Sequence, residues 1–261
     1  MKRNLIALAV CLTAFIFPNV ACTSEGNEDI ISGDTIKILS YNVRNCKGLD
    51  NITDYTRVAG IISRIDADFV AVQELDSATE RSNQVVVLNE LAAKTKMYAT
   101  YRASISYQGG KYGIGMLTKE KPLSSEALPL PGKEEKRSVL IVEMDKYVIC
   151  CTHFSLTQAD RIASVDIITN AAKKYSKPVF LAGDLNSVTG STEMKNLVKD
   201  WLILNNPAQP TIPANSPKSC IDFVLVKKDS KHKVEILKSV VENEPVASDH
   251  LPVWVDVVVS R

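Results

Sequence analysis

Apolar residues along the chain follow two spacings, one typical of strands and one typical of helices. Alternating or continuous apolar runs indicate strands, and positions three or four residues apart indicate helices. The predicted strands are Thr35–Val43, Asp68–Leu75, Tyr112–Thr118, Ser138–Met144, Tyr147–Phe154, Pro178–Leu185, Ile221–Val226, Val234–Val241 and Val253–Val259. The predicted helices are Asp54–Ile65, Asn83–Lys96, Gln158–Tyr175 and Thr192–Val198, the last capped by Ser191.

The order of these elements favours one fold class. Strands outnumber helices, and several predicted strands follow one another without a helix between them. A doubly wound parallel sheet alternates strands and helices, so it does not fit this order. We therefore expect an α/β fold in which two packed β-sheets carry helices on their outer faces.

Composition and charge narrow the class of protein. The 261 residues are 45% hydrophobic and 23% charged, which is typical of a globular protein and excludes disordered, collagen-like and disulfide-dense chains. The formal net charge is +1. A near-neutral chain does not hold long nucleic acids by charge alone, although a local basic patch would still serve a nuclease.

The first 21 residues have the pattern of a secretory signal peptide. Lys2 and Arg3 precede an almost wholly apolar stretch from Leu5 to Phe17, and small residues follow. The stretch ends at Ala21–Cys22, which is typical of a bacterial lipobox and predicts a lipid on Cys22. Ordinary signal cleavage with an unmodified cysteine is the alternative.

Cleavage before Cys22 would leave a tether and one domain. The tether covers residues 22–34, and residues 35–261 show no repeat or linker that would divide them. Removal of the signal peptide takes two bases and no acid, which leaves a net charge of −1. We expect an exported, monomeric lipoprotein of the bacterial envelope, at the outer membrane or the cell surface, in contact with the membrane through its lipid.

Four cysteines fall in the predicted domain, and their spacing selects neither a disulfide pairing nor a zinc site. They are Cys46, Cys150, Cys151 and Cys220. Cys150 and Cys151 adjoin in a predicted strand, so their side chains should point to opposite faces. We expect all four to be buried thiols that pack as small hydrophobic side chains.

Polar residues recur where the predicted strands end. Taken singly, each is typical of a turn or a cap. They are Asn42, Glu74, His153, Asp184, Asn186, Asp222, Asp249 and His250. The apolar runs before Glu74 and Asp184 should be buried, which would bring these charges together on one rim of the sandwich, where they need a partner or a metal ion.

These residues, in this order, resemble the endonuclease/exonuclease/phosphatase (DNase I-like) superfamily, and the export signal is similar to that of secreted bacterial lipoprotein members. The matching motifs are Tyr41-Asn42-Val43, Gln73-Glu74, Thr152-His153, Gly183-Asp184-Leu185-Asn186, Ile221-Asp222-Phe223 and Ser248-Asp249-His250. Each motif is short, and the ordered set is specific. The resemblance implies that residues 35–261 form a catalytic four-layer α/β sandwich, with two mainly antiparallel sheets face to face, and that it hydrolyses a phosphoester with a divalent cation.

The resemblance also implies a role for each of these residues. Asn42, Glu74 and Asp249 would hold the metal ion, and carboxylate and amide oxygens suit Mg²⁺, with Mn²⁺ as the other candidate. The predicted catalytic residues are His153, Asp184, Asn186, Asp222 and His250. Asp184 would orient or deprotonate the attacking water, Asn186 would hold a phosphate oxygen, and His153 would donate to a non-bridging oxygen. Asp222 would fix the tautomer of His250, whose role as base or phosphate ligand is left open.

The chain departs from the family pattern in one place that bears on the metal site. Several nucleases of the family have a second acid where this chain has Arg44. Arg44 is therefore a candidate contact for substrate phosphate, together with Arg81 and Tyr112, and a surface or packing role is the alternative for each.

The sequence is compatible with three functions. The first is a metal-dependent phosphodiesterase or phosphatase of the cell envelope that acts on a small or lipid-linked phosphoester. The second is a secreted nuclease, although no basic stripe with interleaved aromatic residues is visible in the sequence. The third is a non-catalytic binding protein on the same scaffold. Specificity should lie in the rim loops, which we expect at Asn45–Asp54, Ser104–Lys111, Pro129–Lys136 and Asn205–Ser219.

Overall fold

Two six-stranded β-sheets form the centre of the protein. The computed structural model describes residues 33–229 and 231–260. The first sheet contains β1 (Asp34–Asn42), β2 (Phe69–Ser77), β3 (Tyr98–Tyr107), β4 (Gly110–Thr118), β11 (Lys233–Val241) and β12 (Val253–Ser260), in the order β11-β12-β1-β2-β4-β3. The second contains β5 (Ser124–Leu130), β6 (Arg137–Glu143), β7 (Val148–His153), β8 (Val179–Asp184), β9 (Trp201–Ile203) and β10 (Asp222–Lys227), in the order β5-β6-β7-β8-β10-β9.

Neighbouring strands are mainly antiparallel. The parallel pairs are β1 with β2 in the first sheet and β7 with β8 in the second. Each parallel pair is joined by a connection that contains a helix, as parallel neighbours require. The predicted two-sheet α/β sandwich is confirmed.

Four α-helices lie on the outer faces of the two sheets: α1 (Tyr55–Ile65), α2 (Val87–Thr95), α3 (Gln158–Ala172) and α4 (Thr192–Asp200). Two of them begin at a side-chain cap. Asp54 accepts a hydrogen bond from the backbone N–H of Arg57 before α1. Ser191 accepts one from Met194 before α4, so the predicted cap is confirmed.

Three hydrophobic layers hold the sandwich together. One lies between the sheets, and the others lie between each sheet and its pair of helices. Cys151 belongs to the layer between the sheets and Cys150 to the layer under α3 and α4, as their adjacency predicts. All four cysteines of the domain are buried and unpaired, which confirms the expectation of buried thiols.

Three strands were not predicted, because none of them shows a clear alternation of apolar and polar residues. β3 is half exposed along most of its length and shows no alternation of buried and exposed residues. β5 is an edge strand with a proline near its end, and β9 has three residues. The predicted rim loop Ser104–Lys111 is therefore wrong, because β3 and β4 form a hairpin that turns at Gln108 and Gly109.

The predicted export signal, the lipidated Cys22 and most of the tether lie outside the described residues, and the proposed domain boundaries stay a prediction. No helix among residues 33–229 and 231–260 is long and apolar enough to cross a membrane.

A buried carboxylate links α3 to α4 and to the segment that follows β8. Glu193 in the first turn of α4 accepts hydrogen bonds from Arg161 Nε at 2.7 Å and Ser187 Oγ at 2.6 Å. Burial alone would raise the pKa of Glu193, and the hydrogen bonds from Ser187, from the backbone and from Arg161 outweigh it and lower the pKa to about 2. This network supports the segment that carries Asn186.

We expect Glu193→Gln to lower the free energy of unfolding at pH 7 by about 1–3 kcal/mol, because a charged acceptor of buried donors is lost. The pKa is lower in the folded protein than the ordinary 4.5, so this stabilisation is complete above pH 4.5 and is lost as the pH falls towards 2. Urea denaturation measures the free energy of unfolding at about pH 6 and about pH 3. Between these two values the variant should lose less stability than the wild type.

The matched control is Glu90→Gln, which removes an exposed carboxylate that pairs with Lys94. Surface pairs of this kind contribute at most about 0.5 kcal/mol. Equal losses of stability in the two variants would contradict the structural role of Glu193.

Candidate active site

The inward-facing residues of five strands change from apolar to polar at the same edge of the sandwich. Along β1 they read Ile36, Ile38, Ser40 and Asn42, along β2 Phe69, Ala71 and Gln73, along β7 Ile149, Cys151 and His153, and along β8 Phe180, Ala182 and Asp184. In β10, which runs antiparallel to β8, the same row starts at Asp222, opposite Asp184. The polar residues therefore meet at one end of the core between the sheets.

Asp184 lies at the centre of this polar group, and 1% of its surface is exposed. Its Oδ2 accepts a hydrogen bond from Asn42 Nδ2 at 3.1 Å and lies 3.4 Å from His153 Nε2 and 3.6 Å from His250 Nε2. Its Oδ1 accepts from the backbone N–H of Asn186 at 2.9 Å. Burial and the nearby charge of Asp222 raise the pKa of Asp184 to about 7, against the opposite effect of His250 and the hydrogen bonds.

His250 is held by an anion on its far side. His250 Nδ1 lies 2.9 Å from Asp222 Oδ2, and the same oxygen accepts a hydrogen bond from Thr211 Oγ at 2.5 Å. Burial lowers the pKa of His250, and the charge of Asp222 and its hydrogen bond outweigh burial and raise the pKa to about 10. The predicted pairing of Asp222 with His250 is thus present in the geometry.

Two supporting residues of this group were not singled out from the sequence. Thr211 lies in the predicted rim loop Asn205–Ser219, but it is wholly buried behind Asp222. Ser248 is also buried, and its hydroxyl donates to the carbonyl oxygen of Asn42 at 2.7 Å, which joins the segment before His250 to the end of β1. Ser248 belongs to one of the six motifs, whereas nothing in the local sequence marks Thr211.

Glu74 reaches Asn42 because β2 is irregular at this point. The pairing of β2 with β4 shifts between Val72 and Leu75, and Glu74 in this bulge has a φ of 61°. Its Oε1 accepts a hydrogen bond from Asn42 Nδ2 at 3.0 Å. A left-handed glutamate is costly for the backbone, and such conformations concentrate at functional sites. The bulge redirects a carboxylate that a regular strand would place elsewhere.

The third predicted metal ligand, Asp249, is in a different position from the other two. Asp249 Oδ2 lies 3.7 Å from Arg44 Nε, and Oδ1 lies 3.3 Å from Ser248 Oγ, whose hydrogen is donated to Asn42. Asn42 and Glu74 are instead linked to each other and to Asp184. The structure brings two members of the predicted set, Asn42 and Glu74, into contact and places Asp249 next to Arg44.

The side-chain nitrogen of Asn42 donates one hydrogen bond to Glu74 and one to Asp184. Two carboxylates therefore lie close together on either side of this amide. A cation beside Glu74 would neutralise this charge, and the oxygen donors fit a hard divalent ion. Asp184, Asp222 and His250 are the compact group of acid and imidazole side chains found among the described residues. In that group Asp222 already accepts from Thr211 and His250, so it has little capacity left for a metal ion.

The remaining predicted contacts lie around the rim. Asn186 has a φ of 46°, and its side-chain amide donates to the carbonyl oxygen of Phe154 at 3.0 Å. Arg81 donates two hydrogen bonds to the buried carboxylate of Asp76, at 2.6 and 2.8 Å, and stacks on Tyr107. Burial, and after it the charge of Glu74, raise the pKa of Tyr112. The guanidinium of Arg81 is therefore occupied by Asp76, which leaves it little capacity to bind a substrate phosphate.

The sequence profile of a known family matches this chain. Residues 39–250, from the middle of β1 to His250, match the profile described as the Endonuclease/Exonuclease/phosphatase family. The chain belongs to this family. The resemblance inferred from the six motifs is confirmed, while the likeness to lipoprotein members stays a prediction. Members of the endonuclease/exonuclease/phosphatase family are generally metal-dependent hydrolases and include phosphodiesterases, nucleases and phosphatases.

Solved structures share this fold at low sequence identity. An endonuclease/exonuclease/phosphatase from Beutenbergia cavernae is 20% identical, with a TM-score of 0.74 over 87% of this chain and 72% of that chain. One from Bacteroides vulgatus is 18% identical, with a TM-score of 0.69 over 87% and 100%. D. rerio TDP2 complexed with single strand DNA product is 17% identical, with a TM-score of 0.67 over 86% and 99%. Curated protein sequences contain no match to this chain.

The backbone of Glu74 provides a test of the bulge. We expect Glu74→Gly to be more stable than Glu74→Ala by about 1 kcal/mol, because glycine adopts a left-handed conformation without strain. In a regular strand the order is reversed, and alanine is the more stable by about 0.5–1 kcal/mol. Urea denaturation of both variants in EDTA measures the difference. An alanine variant as stable as the glycine variant, or more stable, would show that the backbone at Glu74 is not strained.

Proposed function

We propose that this protein is a divalent-metal-dependent phosphoester hydrolase of the cell envelope, a phosphodiesterase or phosphatase that acts on a small or lipid-linked phosphoester. The observation that supports it best is the arrangement around Asp184. One oxygen of the buried Asp184 faces the imidazoles of His153 and His250 and the amide of Asn42. The same amide contacts a second carboxylate, that of Glu74. This arrangement provides both a base and a position for a cation. Buried carboxylates with a strongly raised pKa beside imidazoles are concentrated at catalytic sites, which disfavours a non-catalytic binding protein.

Asp184 is the group suited to activate water. Its pKa, raised towards neutrality by burial and by Asp222, matches what a general base needs at physiological pH. The backbone N–H of Asn186 and the amide of Asn42 hold the carboxylate in place. The water would then attack phosphorus beside Oδ2, which both imidazoles face.

The two imidazoles are suited to the phosphate oxygens. Asp222 favours the protonated form of His250, which makes it a charged donor at neutral pH and supports the phosphate-ligand role over the role of a base. His153 would donate to a second non-bridging oxygen, where charge develops during attack. Asn186 would complete this set through the second N–H of its side-chain amide, since the first is donated to the carbonyl oxygen of Phe154.

Glu74, with Asp249 nearby, would hold a divalent cation, and Asn42 would join it through its Oδ1, which in this structure accepts a hydrogen bond from the backbone N–H of Arg44 at 3.1 Å. Carboxylate and amide oxygens favour Mg²⁺. A cation bound there would supply positive charge to the phosphate and the leaving oxygen. Asn42 is the residue that connects this position to Asp184, since its amide contacts both carboxylates.

The charges around the site favour a compact substrate over a long polyanion. Three arginines near the site each pair with a carboxylate: Arg44 with Asp249 and Arg81 with Asp76 at the rim, and the buried Arg137 with Glu135. Paired arginines offer little positive potential to a nucleic-acid backbone, whose binding depends on unpaired basic groups. Secreted metal-dependent nuclease activity remains the second candidate, because D. rerio TDP2 shares the fold and its structure contains single strand DNA product.

The predicted attachment of the chain to a membrane is compatible with this substrate class. The described domain begins near Asp34, at the opposite end of β1 from Asn42, roughly 26 Å away at about 3.3 Å per residue. The chain therefore enters the described domain at the end of β1 remote from Asn42. The predicted lipid on Cys22 would bring the protein to a membrane, where lipid-linked phosphoesters are present.

The first test is the substrate class. Purified full-length protein is assayed with Mg²⁺ or EDTA on bis-p-nitrophenyl phosphate, sphingomyelin and plasmid DNA. We expect metal-dependent hydrolysis of a small or lipid-linked ester that exceeds the cleavage of plasmid DNA. Plasmid cleavage far above the other rates would establish the nuclease instead, and no turnover on a broad phosphoester panel would exclude both enzymes.

The second test is the role of individual residues. We expect Glu74→Gln, Asp184→Asn and His250→Ala each to lose at least about 10²-fold in kcat, the typical effect of removing acid–base or charge-stabilising groups. Asp166→Asn is the matched control, because Asp166 is an exposed acid on α3. Near-normal turnover of a folded Asp184→Asn variant would mean that Asp184 is not the base.

A further inference from the structure

His153 has a cation behind it, and this contact restricts which of its ring nitrogens can carry a proton. Arg137 Nη1 lies 3.2 Å from His153 Nδ1, and both side chains are buried. A guanidinium has only donors and keeps its charge at any ordinary pH. A hydrogen bond here therefore needs the lone pair of Nδ1, because a protonated Nδ1 would direct its hydrogen at another hydrogen.

Carboxylates and the loop after β7 hold Arg137 in this position. Glu135 Oε1 accepts from the same Nη1 at 2.8 Å, and Glu134 Oε1 lies 4.0 Å from Nη2. Glu134 is itself fixed by Ser155 Oγ at 2.8 Å and by the backbone N–H of Leu156 at 2.7 Å. Glu135 and Glu134 thus hold the guanidinium of Arg137, and the contacts of Glu134 tie it to the segment that follows His153.

The second ring nitrogen of His153 faces the centre of the site. His153 Nε2 lies 3.4 Å from Asp184 Oδ2. With Nδ1 as an acceptor, the proton of the neutral ring is on Nε2, where a carboxylate or a phosphate oxygen can accept it. Burial and, after it, the charge of Arg137 lower the pKa of His153 well below its ordinary value, which agrees with a neutral ring.

The other imidazole of the site has the opposite support. His250 Nδ1 faces both oxygens of Asp222, at 2.9 and 3.2 Å, so that nitrogen is the donor. In His153 the corresponding nitrogen faces a cation and is the acceptor. His250 and His153 both face Asp184 Oδ2, but an anion, Asp222, holds the first ring and a cation, Arg137, holds the second.

We propose that Arg137 is a positioning residue that holds His153 in the tautomer protonated at Nε2, so that His153 acts as a neutral hydrogen-bond donor beside Asp184. Arg137 does not touch the reacting atoms, and it acts through the ring of His153. The catalytic consequence rests on the proposed phosphoester hydrolysis, whereas the tautomer itself does not.

The direct test is the protonation of the His153 ring nitrogens, read by two-dimensional ¹H–¹⁵N NMR on the full-length protein with labelled histidine. The chain has three histidines, so His153→Gln and His232→Gln variants suffice to assign the signals. We expect an unprotonated Nδ1 and a protonated Nε2 in the wild type, and a loss of this preference in Arg137→Met. A protonated Nδ1 in the wild type, or an unchanged tautomer in a folded Arg137→Met variant, would overturn the proposal.

The kinetic test separates positioning from folding. We expect Arg137→Met to lower kcat by about 10- to 100-fold with little change in KM, and Arg137→Lys, which keeps a donor, to recover part of the loss. Lys177→Met is the control, because it removes an ion pair with Glu143 at the end of β8 remote from Asp184. Equal losses in the lysine and methionine variants would contradict the proposal.

The two readouts also separate this proposal from the proposed function. If Arg137→Met does not fold, the wild-type spectrum decides alone, because the proposal requires an unprotonated Nδ1. If the wild type hydrolyses no phosphoester, the proposed function is wrong, and the spectrum still shows whether Arg137 sets the tautomer.

Discussion

A carboxylate buried at the end of β8 is the constraint on which the arrangement of the site depends. Asp184 has lost nearly all contact with water, and a charge in such a place requires donors close to both oxygens. No single element can supply them, and they come from the end of β1, the end of β7, the turn after β8 and the segment before β12. Each of these elements must therefore hold its position relative to β8 for the charge to be stable.

The two sheets satisfy this requirement through a common pattern. Their inward rows are apolar over most of their length, which buries the faces against each other, and they become polar at one edge. Packing of the apolar residues fixes the distance between the sheets. At that distance Asn42 Nδ2 and Asp184 Oδ2, from opposite sheets, lie 3.1 Å apart. The stability of the sandwich and the geometry of the site thus come from the same strands.

Around Asp184 the partners differ in charge, and this difference assigns different chemistry to similar side chains. Asp222 supports one imidazole and Arg137 supports the other. The bulge that turns Glu74 towards Asn42 adds a second carboxylate, which makes the site suited to a cation. Such local departures from regular structure are costly for folding, and they are concentrated at functional sites.

The sequence by itself determined the fold class and pointed to most of the polar residues that the structure brings together at this edge. The period of its apolar positions marks nine of the twelve strands and the four α-helices that lie within the described residues, and six motifs mark the polar strand ends. Both signals are local, because burial imposes a period on each element and a strand end is visible in a few residues. The strands without a clear period, β3, β5 and β9, could not be recognised in this way. Only the tertiary structure decided that Thr211 supports Asp222, that Arg137 contacts His153, that Glu74 lies in a bulge and that Asp249 faces Arg44. These contacts depend on strand register and on loops that fold over the rim, and neither leaves a periodic trace in the sequence.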